Sequence, residues 1–246
     1  MRTNLPAVLL PGALVVLALA GSTAAEAGVA ANGAPLKVAA TLTCPATEGM
    51  LTRLRQAPDG QSCDYQGRDG DTVRLSLAAL NGRAPSEAMA PLRAELHALV
   101  PVYRVPTPVS YSDEPGDRAD VDLPFLHVHA VGDRADVRLF GIHISSRGQN
   151  ADVDVSRGHK RSVVHAGARG AEVVAEDVGR SNASLVYVLA ANHRASSGYR
   201  AVGYVAKGPV TGPLVVAEFH SVHDRHGAGD GDHGDIDRLI DRNVRD

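Results

Sequence analysis

Tryptophan is absent from this 246-residue chain, and aromatic residues make up 4% of it. The core must therefore be built mainly from Val, Leu, Ile and Ala, and a hydrophobic content of 44% is enough for one. An excess of either charge is also missing. The 25 Lys and Arg stand against 28 Asp and Glu, a formal net charge of −3, which gives no electrostatic case for nucleic acid as a partner. Hydrolase signatures are lacking too: there is no G-x-S-x-G elbow and no H-E-x-x-H pair. Beyond residue 20 no run approaches the ~20 apolar residues that a spanning helix needs. The length fits one large domain or two small ones.

Arg2, the apolar run "AVLLPGALVVLALA" (Ala7 to Ala20) and the small residues of "STAAEAG" predict a secretory signal peptide over residues 1–27. Cleavage sites stand after Ala25 and after Ala27. The mature chain is then expected in a periplasm or outside the cell, with no transmembrane segment left after cleavage. Cysteine usage agrees. Cys44 and Cys63 are the two cysteines, an even number in an exported chain. Oxidising compartments let such a pair close. A loop of this length stabilises by ~3 kcal/mol in the chain-entropy description. The separation is not a CxxC spacing, which argues against a redox or metal thiol pair.

Residues 28–117 are expected to form an N-terminal βββα module followed by a linker. "MLTRLRQ" (Met50 to Gln56), "SCDYQG" and "TVRLSLAAL" (Thr72 to Leu80) read as strands, with Asp59-Gly60 and Asp69-Gly70 as turns. Ser86 is the expected cap of one helix, with Pro91 near its first turn, Met89, Leu92, Leu96 and Leu99 at helical spacing, and Pro101 as its stop. Residues 184–246 repeat the order. Ser184 to His193, Gly198 to Gly208 and Pro213 to Ser221 read as strands. In "DIDRLIDRNVRD", Ile236, Leu239, Ile240 and Val244 make one apolar helical stripe. The expected fold class is α+β, mainly β: two βββα modules, packed together as one sheet with two helices, flanking a β-repeat in residues 118–183.

The repeat has a period of 16. "RADVDLPFLHVHAVGD" (Arg118 to Asp133) is followed by "RADVRLFGIHISSRGQ" (Arg134 to Gln149) and by a decayed copy from Asn150. Asp120, Asp136 and Asp152 align, as do His127, His143 and His159. Apolar parity switches once within each of the first two units, so each holds two strands. Two arrangements fit. In a short β-solenoid each unit is a rung, and the phase kept over three units favours this one. In an antiparallel meander Val128 pairs with Val137, Leu126 with Leu139, His129 with Asp136 and His127 with Arg138.

On these stretches the chain resembles known groups. "LTCPATEGMLTRLRQAPDGQSCDYQGRDGDTVRLSLAAL" and "GYRAVGYVAKGPVTGPLVVAEFHS" look like a group of uncharacterised exported proteins of alpha-proteobacteria. The middle is similar to the short β-repeats of bacterial adhesin-like proteins. The resemblance implies an envelope protein that binds an envelope or extracellular ligand, without catalysis, and carries over no catalytic residue.

Chemistry has three candidate places. His127-Val128-His129 puts two imidazoles on one face of a strand, and in the solenoid His143 would stack beside His127, a three-histidine set for Zn²⁺. "HSVHDRHGAGDGDHGD" (His220 to Asp235) offers His220, His223, His226 and His233 with Asp224, Asp230, Asp232 and Asp235, a set suited to Zn, Cu or Ni in a periplasmic metal-binding protein. The competing reading of that stretch is a solvated spacer, because ordering so many glycines costs entropy. "VVHAGARGAEVVAEDVG" places Gly167 and Gly170 after a Val-Val run, faintly like the loop of S-adenosylmethionine-dependent methyltransferases. No βαβ pattern surrounds it, so that cofactor is disfavoured.

Overall fold

Apolar–polar alternation bounded by short turns favours antiparallel hairpins, and the computed structural model of the chain consists largely of them. It describes residues 35–67, 70–102, 118–123, 126–131, 134–139, 142–147, 150–167, 170–222 and 231–245; side chains within 118–153, at 155, 157 and 167, and within 231–233 lie outside that description. The signal-peptide segment 1–27, the linker from 103 to 117 and the tail from 223 to 230 are outside the described residues.

Two short strands, β1 (Lys37–Val38) and β2 (Thr47–Glu48), precede β3 (Leu51–Gln56), β4 (Ser62–Gln66) and β5 (Thr72–Ala78). β3, β4 and β5 pair antiparallel in sequence order. The register slips between Arg53 and Arg55, so Leu54 sits in a bulge and turns outward, 60% exposed. The disulfide Cys44–Cys63 is formed, with Cα atoms 6.4 Å apart, and ties the segment before β2 to β4.

The next segment forms two helices rather than one. α1 (Pro85–Ala88) is followed, across Met89, by α2 (Ala90–Leu99). Pro91 explains the break: inside a continuous helix it would lack an N–H and its ring would press on the carbonyl four residues earlier. At the start of α2 the missing N–H forfeits no intrahelical bond and the ring meets no preceding turn. Ser86 lies inside α1 and does not cap it; Ala84 is the residue before the helix, and no side chain caps it.

From residue 118 a regular ladder begins. β6 (Arg118–Leu123), β7 (Leu126–Val131), β8 (Arg134–Leu139) and β9 (Ile142–Arg147) are each six residues long and two residues apart. They pair antiparallel in a four-stranded sheet. The 16-residue period is therefore two strands and two connections. This is the meander, with Val128 on Val137, Leu126 on Leu139, His129 on Asp136 and His127 on Arg138. The solenoid is overturned, because the chain reverses at every connection and equivalent strands of successive units are never neighbours. In the third copy the strands lengthen: β10 (Asn150–Arg157) and β11 (Lys160–Gly167) have eight residues each. That growth moves His159 off the strand into the connection beside Gly158, which has φ +63°.

β12 (Gly170–Val178) pairs with β11 and with β13 (Asn182–Ala191); β14 (Ala201–Pro209) and β15 (Leu214–Ser221) follow. β15 then pairs with β5, Phe219 on Val73 and Ala217 on Leu75. That contact joins the N- and C-terminal strands in one ten-stranded antiparallel sheet, β10-β11-β12-β13-β14-β15-β5-β4-β3-β2. Gly167 and Gly170 are directly opposed at the ends of the antiparallel strands β11 and β12. A nucleotide loop of the kind considered above needs a strand leading into a helix, and here it leads into another strand.

The helices cover opposite faces of this sheet. α3 (Gly231–Asp241) places Ile236, Leu239 and Ile240 against Val73, Leu75, Val215 and Phe219. Met89, Leu96 and Val100, from α2 and its flanks, pack with Leu185, Tyr187, Tyr204 and Val216 on the other side. β13 is buried on both faces, which is why its sequence "LVYVLA" is apolar without alternation. Val244 does not extend the α3 stripe. It lies in β16 (Val244–Arg245), paired with Val38 of β1. Asn243 ends the helix there: its Nδ2 donates to Leu239 O at 2.8 Å and its Oδ1 accepts Thr43 N–H at 2.7 Å.

Candidate functional site

Backbone register decides what the repeat presents. In an antiparallel pair, directly opposed residues share a face, and alternate residues along a strand share it too. In β6–β9 this yields one face of Ala119, Val121, Leu123, Leu126, Val128, Val137, Leu139, Ile142 and Ile144, and an opposite face of three polar rows. The first row reads Asp122, His127, Arg138, His143. The second reads Asp120, His129, Asp136, Ser145. The third reads Arg118, Val131, Arg134, Arg147. Sequence reasoning found these residues and the register of β7 on β8. It did not extend the rows to β6 and β9, because the switch of apolar parity within each unit was read as a corner. His127 and His129 fall together on the polar face. His143 is two strands away from His127, with Arg138 between them in the row.

The C-terminal set is placed differently. His220 lies on β15, opposite Val202 of β14 and Thr72 of β5. Its ring stacks on Tyr199, centroids 4.8 Å apart. Its Nε2 is buried and lies 3.0 Å from Glu218 Oε1, outside hydrogen-bonding geometry. Glu218 is two residues upstream and so shares the face. His223 and His226 fall outside the described residues, as do Asp224 and Asp230, while His233 and Asp232 belong to the first turns of α3. Among the residues whose side chains are described, no three His, Cys, Asp or Glu groups gather closely enough to hold a metal ion.

Asp235 was one of the hard oxygen ligands offered by the tail, beside the reading of that stretch as a spacer, and the structure gives it other work. It is 1% exposed. Its Oδ2 accepts the Met50 N–H at 2.6 Å, and its Oδ1 accepts from Arg238 Nη2. Gly49, at φ +55°, makes room for it: a Cβ there would fall 1.9 Å from Asp235 Oδ1. Beside it, buried Glu48 accepts from Arg242 Nε at 2.6 Å and from Arg238 Nε at 3.1 Å. The hydrogen bond from Arg242 holds the Glu48 carboxyl below its ordinary value, against the opposing effect of burial. This four-residue cluster fastens α3 to the β2–β3 turn. On the opposite face, Tyr187 Oη donates to Glu172 Oε1 at 3.0 Å, and Arg93 of α2 lies 3.7 Å from Glu176. Burial, then the Glu172 charge, raises the Tyr187 phenol, and burial pushes Tyr204 up to about 12.

No family model, curated protein or solved structure matches the chain. The reading of the surface therefore rests on the residues themselves. Sequence reasoning missed Glu218 and Tyr199 beside His220, although the i, i+2 spacing of Glu218 and His220 on a strand is a legible signal. It also missed the Glu48–Asp235–Arg238–Arg242 cluster, in which Glu48 lies about 190 positions from its arginine partners in sequence.

No helix among the described residues is long and apolar enough to cross a membrane.

Proposed function

We propose that this chain is a non-catalytic binding module, exported to the cell envelope, that takes an anionic ligand on the polar face of β6–β9. The ligand is a carboxylate- or phosphate-bearing envelope or extracellular polymer. One observation carries the reading. Arg134 and Arg147 are directly opposed across β8 and β9, and Arg118 lies in the same row. Like charges directly opposite one another destabilise a strand pair. An anion bound across the row relieves that repulsion and gains charge-assisted hydrogen bonds from planar guanidinium groups. Export is supported by the N-terminal apolar run and by the Cys44–Cys63 pairing, which suits an oxidising compartment.

The test is co-sedimentation of the purified chain with isolated envelope polymers, namely peptidoglycan sacculi and anionic lipopolysaccharide. The chain should sediment with one of them, less so as salt rises. Substituting Arg118, Arg134 and Arg147 together by Ser should abolish the effect. Equal sedimentation by that variant, or none by the unaltered chain, would refute the proposal.

A further inference from the structure

The register of β6 on β7 replaces the three-histidine set considered from the sequence with a different one, in which His127 and His129 are joined by two aspartates. Asp122 is directly opposed to His127, and Asp120 to His129. Both pairs lie on the polar face, because the partners are opposed and each strand contributes residues two apart. Directly opposed Cβ atoms are about 4.5–5.5 Å apart, and residues two apart on a strand are separated by about 6.5–7 Å. Two histidines and two aspartates thus hold four adjacent register positions on one face of the ladder. We infer that Asp120, Asp122, His127 and His129 form a binding site for a divalent transition-metal ion, with Zn²⁺ as its natural probe.

The chemistry of the set argues for this class. Zn²⁺ accepts four ligands drawn from His nitrogen and Asp oxygen, each at ~2.0–2.2 Å. A mixed imidazole–carboxylate set suits Zn²⁺, Mn²⁺ or Fe²⁺ rather than thiolate-seeking Cu(I). The site is built on adjacent strands, so its spacing is set by ladder hydrogen bonds and not by ordering a glycine-rich loop. This separates it from the tail histidines, of which His220 packs on Tyr199 and His233 sits on α3. The repeat also shows what the block adds. Asp136 stands on the other side of His129, and Asp152 is opposed to His165, which is opposed to Glu172. In each of those rows one histidine stands between two carboxylates. Among the strand pairings described, β6–β7 opposes two His to two carboxylates, side by side.

The experiment is calorimetric titration of the tag-free, chelator-treated chain with ZnCl₂, and with CoCl₂ followed by visible absorption. One ion per chain is expected, with a cobalt spectrum of low-symmetry nitrogen–oxygen coordination. His127→Ala with His129→Ala should abolish stoichiometric binding. Asp120→Asn with Asp122→Asn preserves side-chain shape and strand pairing, so it answers if the histidine variant fails to fold; affinity should drop at least about tenfold, with circular dichroism unchanged. Alanine at His220, His223, His226 and His233 should leave binding intact. No zinc bound by the unaltered chain, zinc retained after loss of both strand histidines, or zinc lost with the tail alone would each overturn the inference. The arginine variant of the preceding test should still bind zinc, so failure of the anion reading and failure of the metal site are separate outcomes.

Discussion

Asp235→Ala removes a carboxylate that no solvent replaces. Asp235 is 1% exposed, and its Oδ2 accepts the Met50 N–H at 2.6 Å. Leaving that N–H without a partner costs about 1–3 kcal/mol. The lost ion pair adds less than the ~3–5 kcal/mol of a fully buried one, because Arg238 is 56% exposed and keeps its bond to Glu48. A net loss of about 2–3 kcal/mol follows. At roughly 2–4 °C per kcal/mol for a chain of this size, Tm should fall by about 4–12 °C. Asp235→Asn keeps an oxygen for Met50 and loses only the charge, so it should cost about 1 kcal/mol. Urea denaturation of the oxidised protein, followed by far-ultraviolet circular dichroism, measures both. Equal losses for the two variants would show that charge, not the Met50 bond, dominates. A loss below about 0.5 kcal/mol for Asp235→Ala would refute the structural role outright.

Glu48 has a folded-state pKa below its ordinary 4.5, so its contribution to stability is full above that value and is lost as pH falls through the lower folded one; Glu48→Gln should flatten the acid limb of a stability–pH curve. Burial raises Tyr65 and Tyr204 to about 12 and raises Tyr187 as well. Their contribution is full below the unfolded value near 10 and disappears as pH rises through the folded ones, so at pH 11 the native chain should show less phenolate absorbance than the unfolded chain, and replacing Tyr65, Tyr187 and Tyr204 by Phe should shrink that difference. Reduction of Cys44–Cys63 should cost ~3 kcal/mol by the loop-entropy argument, readable as a lower urea midpoint with dithiothreitol than without.

Most strands were legible because their signals are local. Asp59-Gly60 marks the β3–β4 turn, and Val73, Leu75 and Leu77 alternate along β5. The β7–β8 register was legible because a two-residue connection leaves one pairing that matches Val128 to Val137. The solenoid was favoured for a physical reason that misleads: a meander of equal strands keeps the same 16-residue phase as a stack of rungs, and phase alone does not say whether the chain reverses. Pairing of β5 with β15 was not legible in detail, since nothing near Val73 names Phe219 as its partner. Asp235 was misjudged because a carboxylate among glycines and histidines looks solvated, and only the distant Gly49–Met50 turn shows that it is not. Val244 kept helical spacing with Ile240, but its pairing with Val38 comes from the other end of the described chain.

The six-residue strands and two-residue connections of β6–β9 also make the ladder a device whose length can change by copying. A duplicated 16-residue unit re-enters the sheet on the same face, because it adds a whole outward and return pass. An insertion of one residue within a strand would send the later side chains of that strand to the opposite face or force a bulge. Gene segments coding for whole units can therefore accumulate or be lost with the two faces of the ladder preserved, while a single codon inserted within a strand breaks that alternation. The width of the ladder, and the number of residues in each of its polar rows, become quantities that inheritance can adjust in fixed steps.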